Sequence, residues 1–166
     1  PPRSTLFPYT TLFRSLKVFQ ALSAALDMVP DRRVILSDTG NFPSDLYMAE
    51  GLIALRDQGY SLRIVAPETV ASAIDETIAA VLLTHVDYRK GARHDLNALT
   101  RAAQAAGAVT VWDLAHSVGA IDVDLAASGC EFAATGGKIH IYGPHTMRQI
   151  PNRNRTSCLR RPGQRV

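Results

Sequence analysis

The 166-residue chain holds only two cysteines, Cys130 and Cys158. That is too few, at the wrong spacing, for a disulfide framework or a cysteine-built metal site. Long apolar runs are missing as well: none approaches the roughly 20 residues that a membrane-spanning helix needs. The first residues lack a basic start followed by a continuous apolar stretch, so no secretion signal is expected and a cytoplasmic location is the default. Glycine-rich phosphate loops, paired metal-ligand histidines and a nucleophilic serine elbow are absent too. Acidic residues stop at Glu131, whereas six arginines lie between His145 and Val166. Setting those six aside leaves twelve basic residues against 15 acidic ones, a net of −3, so the formal charge of +3 belongs to the tail and not to the body. The tail has no interleaved aromatic residues to stack on bases, which argues against nucleic-acid binding. Its Arg, Asn and Pro content predicts disorder.

What is present is an ordinary globular composition, 46% hydrophobic and 20% charged, in a length that makes one domain with one core. Pro1 to Ser15 (PPRSTLFPYTTLFRS) is nearly its own mirror image and is similar to a translated sequencing-adapter peptide, so it is set apart as an artefact-like leader. From Leu16 to about Pro144 strand and helix signals alternate. Leu16–Met28 is predicted helical, Val34–Ser37 a strand, Ser44–Gln58 a helix closed by Gly59, Leu62–Val65 a strand, and Pro67–Ala73 a short helix. Ala80–Thr84 is an uninterrupted apolar run, as in a strand covered on both faces. Asp95–Ala106 is a helix closed by Gly107, Val109–Trp112 a strand, Val123–Ala127 a short helix, and Glu131–Ala134 a last strand. This alternation predicts an α/β fold, a mostly parallel sheet flanked by helices. In such sheets ligands bind beyond the carboxyl ends of the strands, which makes Thr84 and Asp113 candidate site residues. The bland alternative is that Asp113 only caps the segment after it.

The most informative segment is Val111-Trp112-Asp113-Leu114-Ala115-His116-Ser117-Val118-Gly119. An Asp at a strand end with a His three residues later suits a pyridoxal-phosphate site, where a carboxylate keeps the ring nitrogen protonated. This segment resembles the cofactor-aspartate motif of kynureninases, which are fold-type-I pyridoxal-phosphate enzymes. Two more segments match in the same order. Asn41-Phe42-Pro43-Ser44-Asp45-Leu46-Tyr47 resembles the family's NFP-[ST]-DLY stretch, and Leu83-Thr84-His85-Val86-Asp87-Tyr88-Arg89-Lys90-Gly91 its LTHVNYR-x-G stretch. The Asp-His motif alone would equally suit cysteine desulfurases and related class V aminotransferases; NFPSDLY favours kynureninase.

The resemblance implies the large domain of such an enzyme, with pyridoxal 5'-phosphate as cofactor, kynurenine as substrate and a homodimer as the intact assembly. It implies that Phe42 stacks on the cofactor ring, that Pro43 and Ser44 line the same wall, and that Asp45 bonds nearby polar groups. Thr84 would bond the ring oxygen or a neighbour, Asp113 would pair with the ring nitrogen, and His116 would share the pocket. Read without the resemblance, Phe42 is a core aromatic, Asp45 a first-turn acid, Thr84 a strand end and His116 a solvated loop residue. Of the three lysines, Lys17, Lys90 and Lys138, only Lys138 fits the role of catalytic, cofactor-holding lysine. It keeps the family's spacing to Gly143-Pro144, yet lies one residue too near Phe132 and follows Gly137 where the family has tyrosine. A pocket lysine and an exposed loop lysine both remain open readings. The family's phosphate-binding segment falls where the leader stands, and its C-terminal domain has no counterpart, so this polypeptide is expected to be a fragment with little or no activity; the alternative of another class is a non-catalytic or non-functional α/β fragment.

Overall fold

The computed structural model describes the backbone of residues 6–135 and the side chains of residues 14–135. The basic tail and Lys138 lie outside the described residues. Among the described residues five parallel strands form one sheet: β1 (Val34–Asp38), β2 (Ser61–Val65), β3 (Ile78–Thr84), β4 (Val109–Asp113) and β5 (Phe132–Ala134), in the order β2-β1-β3-β4-β5. The chain first steps from β1 outward to β2, then returns past β1 to build β3, β4 and β5 on its other side. The order therefore reverses between β1 and β3, and a crevice at the carboxyl ends of those strands is where such sheets place ligands.

Helices cover both faces, as the alternation predicts. On one face α1 (Leu6–Met28) and α2 (Pro43–Arg56) pack Val18, Leu22, Leu26 and Leu52 against Ile35, Leu82, Val109 and Val111. On the other, α3 (Val70–Ala73), α4 (Leu96–Ala105) and α5 (Leu125–Ser128) enclose Leu36, Val81, Leu83, Trp112 and Leu114. Every residue of β3 is buried, which explains its unbroken apolar sequence: a strand covered on both faces has no polar side. The α4 boundaries follow local chemistry. Asp95 accepts the Ala98 N–H as N-cap, and Gly107 takes φ +77° just past the helix end.

Two boundaries differ from expectation. Helix α1 begins at Leu6 and not Leu16, so it runs through most of the leader that the sequence sets apart. Pro8 is compatible with this because it falls in the first turn, where a helix has no partner for the backbone N–H anyway. Helix α2 ends at Arg56, and Asp57 takes the left-handed capping conformation at φ 47°, two residues before Gly59, which also has positive φ. Aspartate tolerates that region better than most residues, so a glycine is not required there. Among the described residues, no helix is long and apolar enough to cross a membrane, and no group of three or more His, Cys, Asp or Glu side chains could hold a metal ion.

Candidate active site

The carboxyl ends of β1, β3 and β4 carry Asp38, Thr84 and Asp113, with Thr84 and Asp113 paired directly in the ladder. Asp113 is fully buried. One of its oxygens, Oδ1, accepts the Ala115 N–H at 2.9 Å, which fixes the carboxylate against the turn after β4. The other, Oδ2, has no hydrogen-bond partner but stands 3.0 Å from Nη1 of Arg14, an ion pair without hydrogen-bond geometry. A lone aspartate capping a turn would not need that second oxygen held in the interior. Asp113 thus caps its own turn through Oδ1 and faces the buried guanidinium through Oδ2.

Asp45 joins it from the first turn of α2. Its side chain is completely buried, with Oδ1 3.2 Å from Arg14 Nη2 and Oδ2 lacking a hydrogen-bond partner. The same Nη2 donates to Ser44 Oγ at 2.9 Å. One guanidinium therefore serves two buried carboxylates. Burial, and next the neighbouring Asp113 charge, push Asp45 up to about 8 against the pull of Arg14. Asp45 is accordingly the group that carries a proton near neutrality. The proximity of the two carboxyl groups adds to the same upward push.

Aromatic rings complete the cradle. Phe42, the residue before the first turn of α2, lies 4.2 Å below the Arg14 guanidinium carbon, measured to the ring centroid. Tyr88 meets Phe42 edge-on at 4.9 Å, and the exposed His116 ring is 5.9 Å from Phe42 and stacked on Tyr88 at 6.4 Å. Phe42 is set in place by its backbone: its N–H donates to Asn41 Oδ1 at 2.7 Å and to Thr84 Oγ1 at 3.3 Å. Asn41 in turn donates to Ser37 Oγ and to the Leu82 carbonyl.

Of the residues singled out in the sequence, the fold brings Phe42, Ser44, Asp45, Thr84, Asp113 and His116 to one end of the sheet. Pro43 is exposed in the first turn of α2, where its fixed φ suits a helix start. Three further contributors emerge only from the fold. Asn41 lies inside the NFPSDLY match, and an Asn just before a helix is a signal that could have marked it. Tyr88 lies inside the second match. Arg14 sits in the segment set apart as a leader, and no local pattern marks it.

A buried carboxylate oxygen without a hydrogen-bond partner, facing a cation that itself lies over an aromatic ring, fits the protonated ring of pyridoxal phosphate: Asp113 would hold the ring N–H and Phe42 would fix the plane.

Five parallel strands in this order, with helices on both faces and this carboxylate at the end of β4, define the fold-type-I class, and the chain belongs to the aminotransferase class-V family, whose model matches residues 54–146. Curated kynureninases are among its relatives. That of Pseudomonas fluorescens is 50% identical over 124 residues, covering 72% of this chain and 30% of the relative; that of Burkholderia mallei (strain SAVP1) is 42% identical over 134 residues, covering 74% and 32%. The chain thus spans about a third of the length of the relatives it matches. Among solved structures, a NIFS-like protein superposes with TM-score 0.63 at 14% identity over 74% of this chain and 36% of that one. The apo cysteine desulfurase of Thermococcus onnurineus NA1 superposes with TM-score 0.61 at 21% identity over 74% and 32%. At such identities these two establish the fold alone.

Proposed function

We propose that this chain carries the ring-binding part of a kynureninase-type active site, which in the whole enzyme hydrolyses kynurenine to anthranilate and alanine in a cytoplasmic homodimer. The observation that supports it best is the buried Asp113 carboxylate at the end of β4, fixed through Oδ1 by its own turn while Oδ2 has no hydrogen-bond partner and faces a cation, Arg14. Bound pyridoxal phosphate supplies an electron sink for charge that develops on the substrate. Asp113 keeps the ring nitrogen protonated, because a carboxylate in a dry site stabilises an N–H⁺ more strongly than it would in water. Phe42 fixes the plane of the ring, and the rings of Tyr88 and His116 border it. Asn41 and Thr84 set the Phe42 backbone in position and leave the Thr84 hydroxyl at the edge of the crevice. Lys138 holds the cofactor and moves protons in this reading.

The kynureninase reading is preferred over a cysteine desulfurase because the relatives matched at 42–50% identity are kynureninases. The test is titration of the purified chain with pyridoxal phosphate, followed in the visible absorbance, alongside Asp113→Ala and Lys138→Ala. Saturable binding that Asp113→Ala weakens about ten-fold or more, the effect of one lost charge-assisted bond, supports the reading. Binding indifferent to both substitutions refutes it. Anthranilate release, read by fluorescence, is expected to stay near a cofactor-only control for this polypeptide.

A further inference from the structure

We infer that the cradle of Asp45, Asp113, Ser44 and Phe42 is a seat for a planar, delocalised cation, and that Arg14 fills it. Four features of the contact carry this. The guanidinium lies over the Phe42 ring at 4.2 Å. Its Nη1 and Nη2 point to two different carboxylates at 3.0 and 3.2 Å. Nη2 also donates to Ser44 Oγ. The Arg14 side chain is 6% exposed and both carboxylates are 0% exposed, so the contact is dry. A buried cation needs acceptors around it, and here the guanidinium lies over the ring with its two terminal nitrogens divided between acceptors.

A protonated pyridine ring presents the same recognition features: a flat cation, an in-plane N–H, and a face for stacking. This part of the inference rests on the cofactor reading above. The Asp113 Oδ2 that would receive the ring N–H is the oxygen Arg14 faces, and Phe42 is the ring that both would cover. Arg14 and the cofactor ring therefore exclude each other, and Arg14 must leave before the ring enters. The apparent affinity for the cofactor is then reduced by the fraction of chains in which Arg14 is out of the seat.

The test compares the full chain with Arg14→Ala and Arg14→Lys. Lysine keeps the charge but has neither plane nor fork. The dissociation constant for pyridoxal phosphate is measured by equilibrium dialysis, and thermal unfolding is followed in millimolar guanidinium chloride against matched sodium chloride. Both substitutions are expected to tighten cofactor binding about ten-fold or more, which corresponds to Arg14 being seated in about nine chains of ten. Added guanidinium should weaken that binding in Arg14→Ala. It should also raise the melting temperature of Arg14→Ala, or restore its far-UV helical signal if the variant does not fold, while leaving the parent chain without that gain. Equal or weaker cofactor binding in both variants would overturn the exclusion. A guanidinium response in Arg14→Ala no larger than in the parent would overturn the seat itself. Absence of cofactor binding in all three chains, with the guanidinium response present in Arg14→Ala, would sink the cofactor reading and support the seat.

Discussion

Thr84 donates its hydroxyl hydrogen to Asn41 Oδ1 at 2.5 Å, joining the end of β3 to the loop that follows β1 across 43 residues of sequence. That bond spans the point where the strand order reverses. It makes Asn41 the hub of the crevice, with acceptors and donors used toward Thr84, Phe42, Ser37 and Leu82. Asn41→Ala leaves several of these buried groups without partners, at about 1–3 kcal/mol for each group not rescued by water. Urea unfolding should show a loss of about 2–3 kcal/mol. A loss no larger than that of an exposed substitution would show that the network is dispensable.

Asp45 gives the fold a pH dependence with a definite sign. Its carboxyl lies at about 8 in the folded chain against an ordinary 3.8, so between these values the folded state holds a proton that the unfolded state has released. The contribution is complete below the lower value and declines as pH rises toward the upper one. Stability should therefore fall on going from about pH 5 to about pH 8. In Asp45→Asn that decline should flatten, because the amide keeps the shape without titrating. A parallel decline in both chains would assign the dependence to other groups.

Trp112, the sole tryptophan, donates its buried indole N–H to Thr100 Oγ1 at 3.0 Å. Thr100→Val preserves the shape and removes the acceptor. The expected cost is about 1–3 kcal/mol, the desolvation of an unpaired donor. Denaturant unfolding followed by the fluorescence of Trp112 itself reads it directly, and an unchanged midpoint would mean that another acceptor takes over.

Gly107 closes α4 at φ +77°, and a Cβ there would lie 2.7 Å from Arg32 Nη2. Arg32 cannot easily yield, because its Nη1 is bonded to the carbonyls of Ile78 and Ala106. Gly107→Ala combines backbone strain with that displacement, for a loss of about 1–2 kcal/mol. Gly51→Ala is the control: nothing lies within 4 Å of a Cβ there, and its site within α2 favours alanine. A melting temperature lowered in the first and held or raised in the second is the expected pair of results.

The sheet is legible in the sequence because its causes are local. The apolar run of β3, the Asp95 and Gly107 ends of α4 and the turn residues between strands each act within a few positions of themselves. The ends of α1 and α2 are less legible. Pro8 does not forbid a first turn, and Asp57 can adopt a conformation that glycine more often supplies.

The site divides along the same line. The sequence by itself determined that Thr84 and Asp113 stand at strand ends, since strand position follows from periodicity. Its three ordered motifs also pointed to the family to which the chain belongs. Only the tertiary structure decided that Asp45 and Asp113 share the guanidinium of Arg14, that Phe42 lies beneath it, and that Asn41 holds Phe42 in place. Arg14 and Asp45 are 31 residues apart, on different helices, and meet only because both helices pack on the same face of the sheet. Ion pairs and ring contacts of this kind leave no periodic trace in a sequence, because they depend on where the packed elements bring the ends of long side chains.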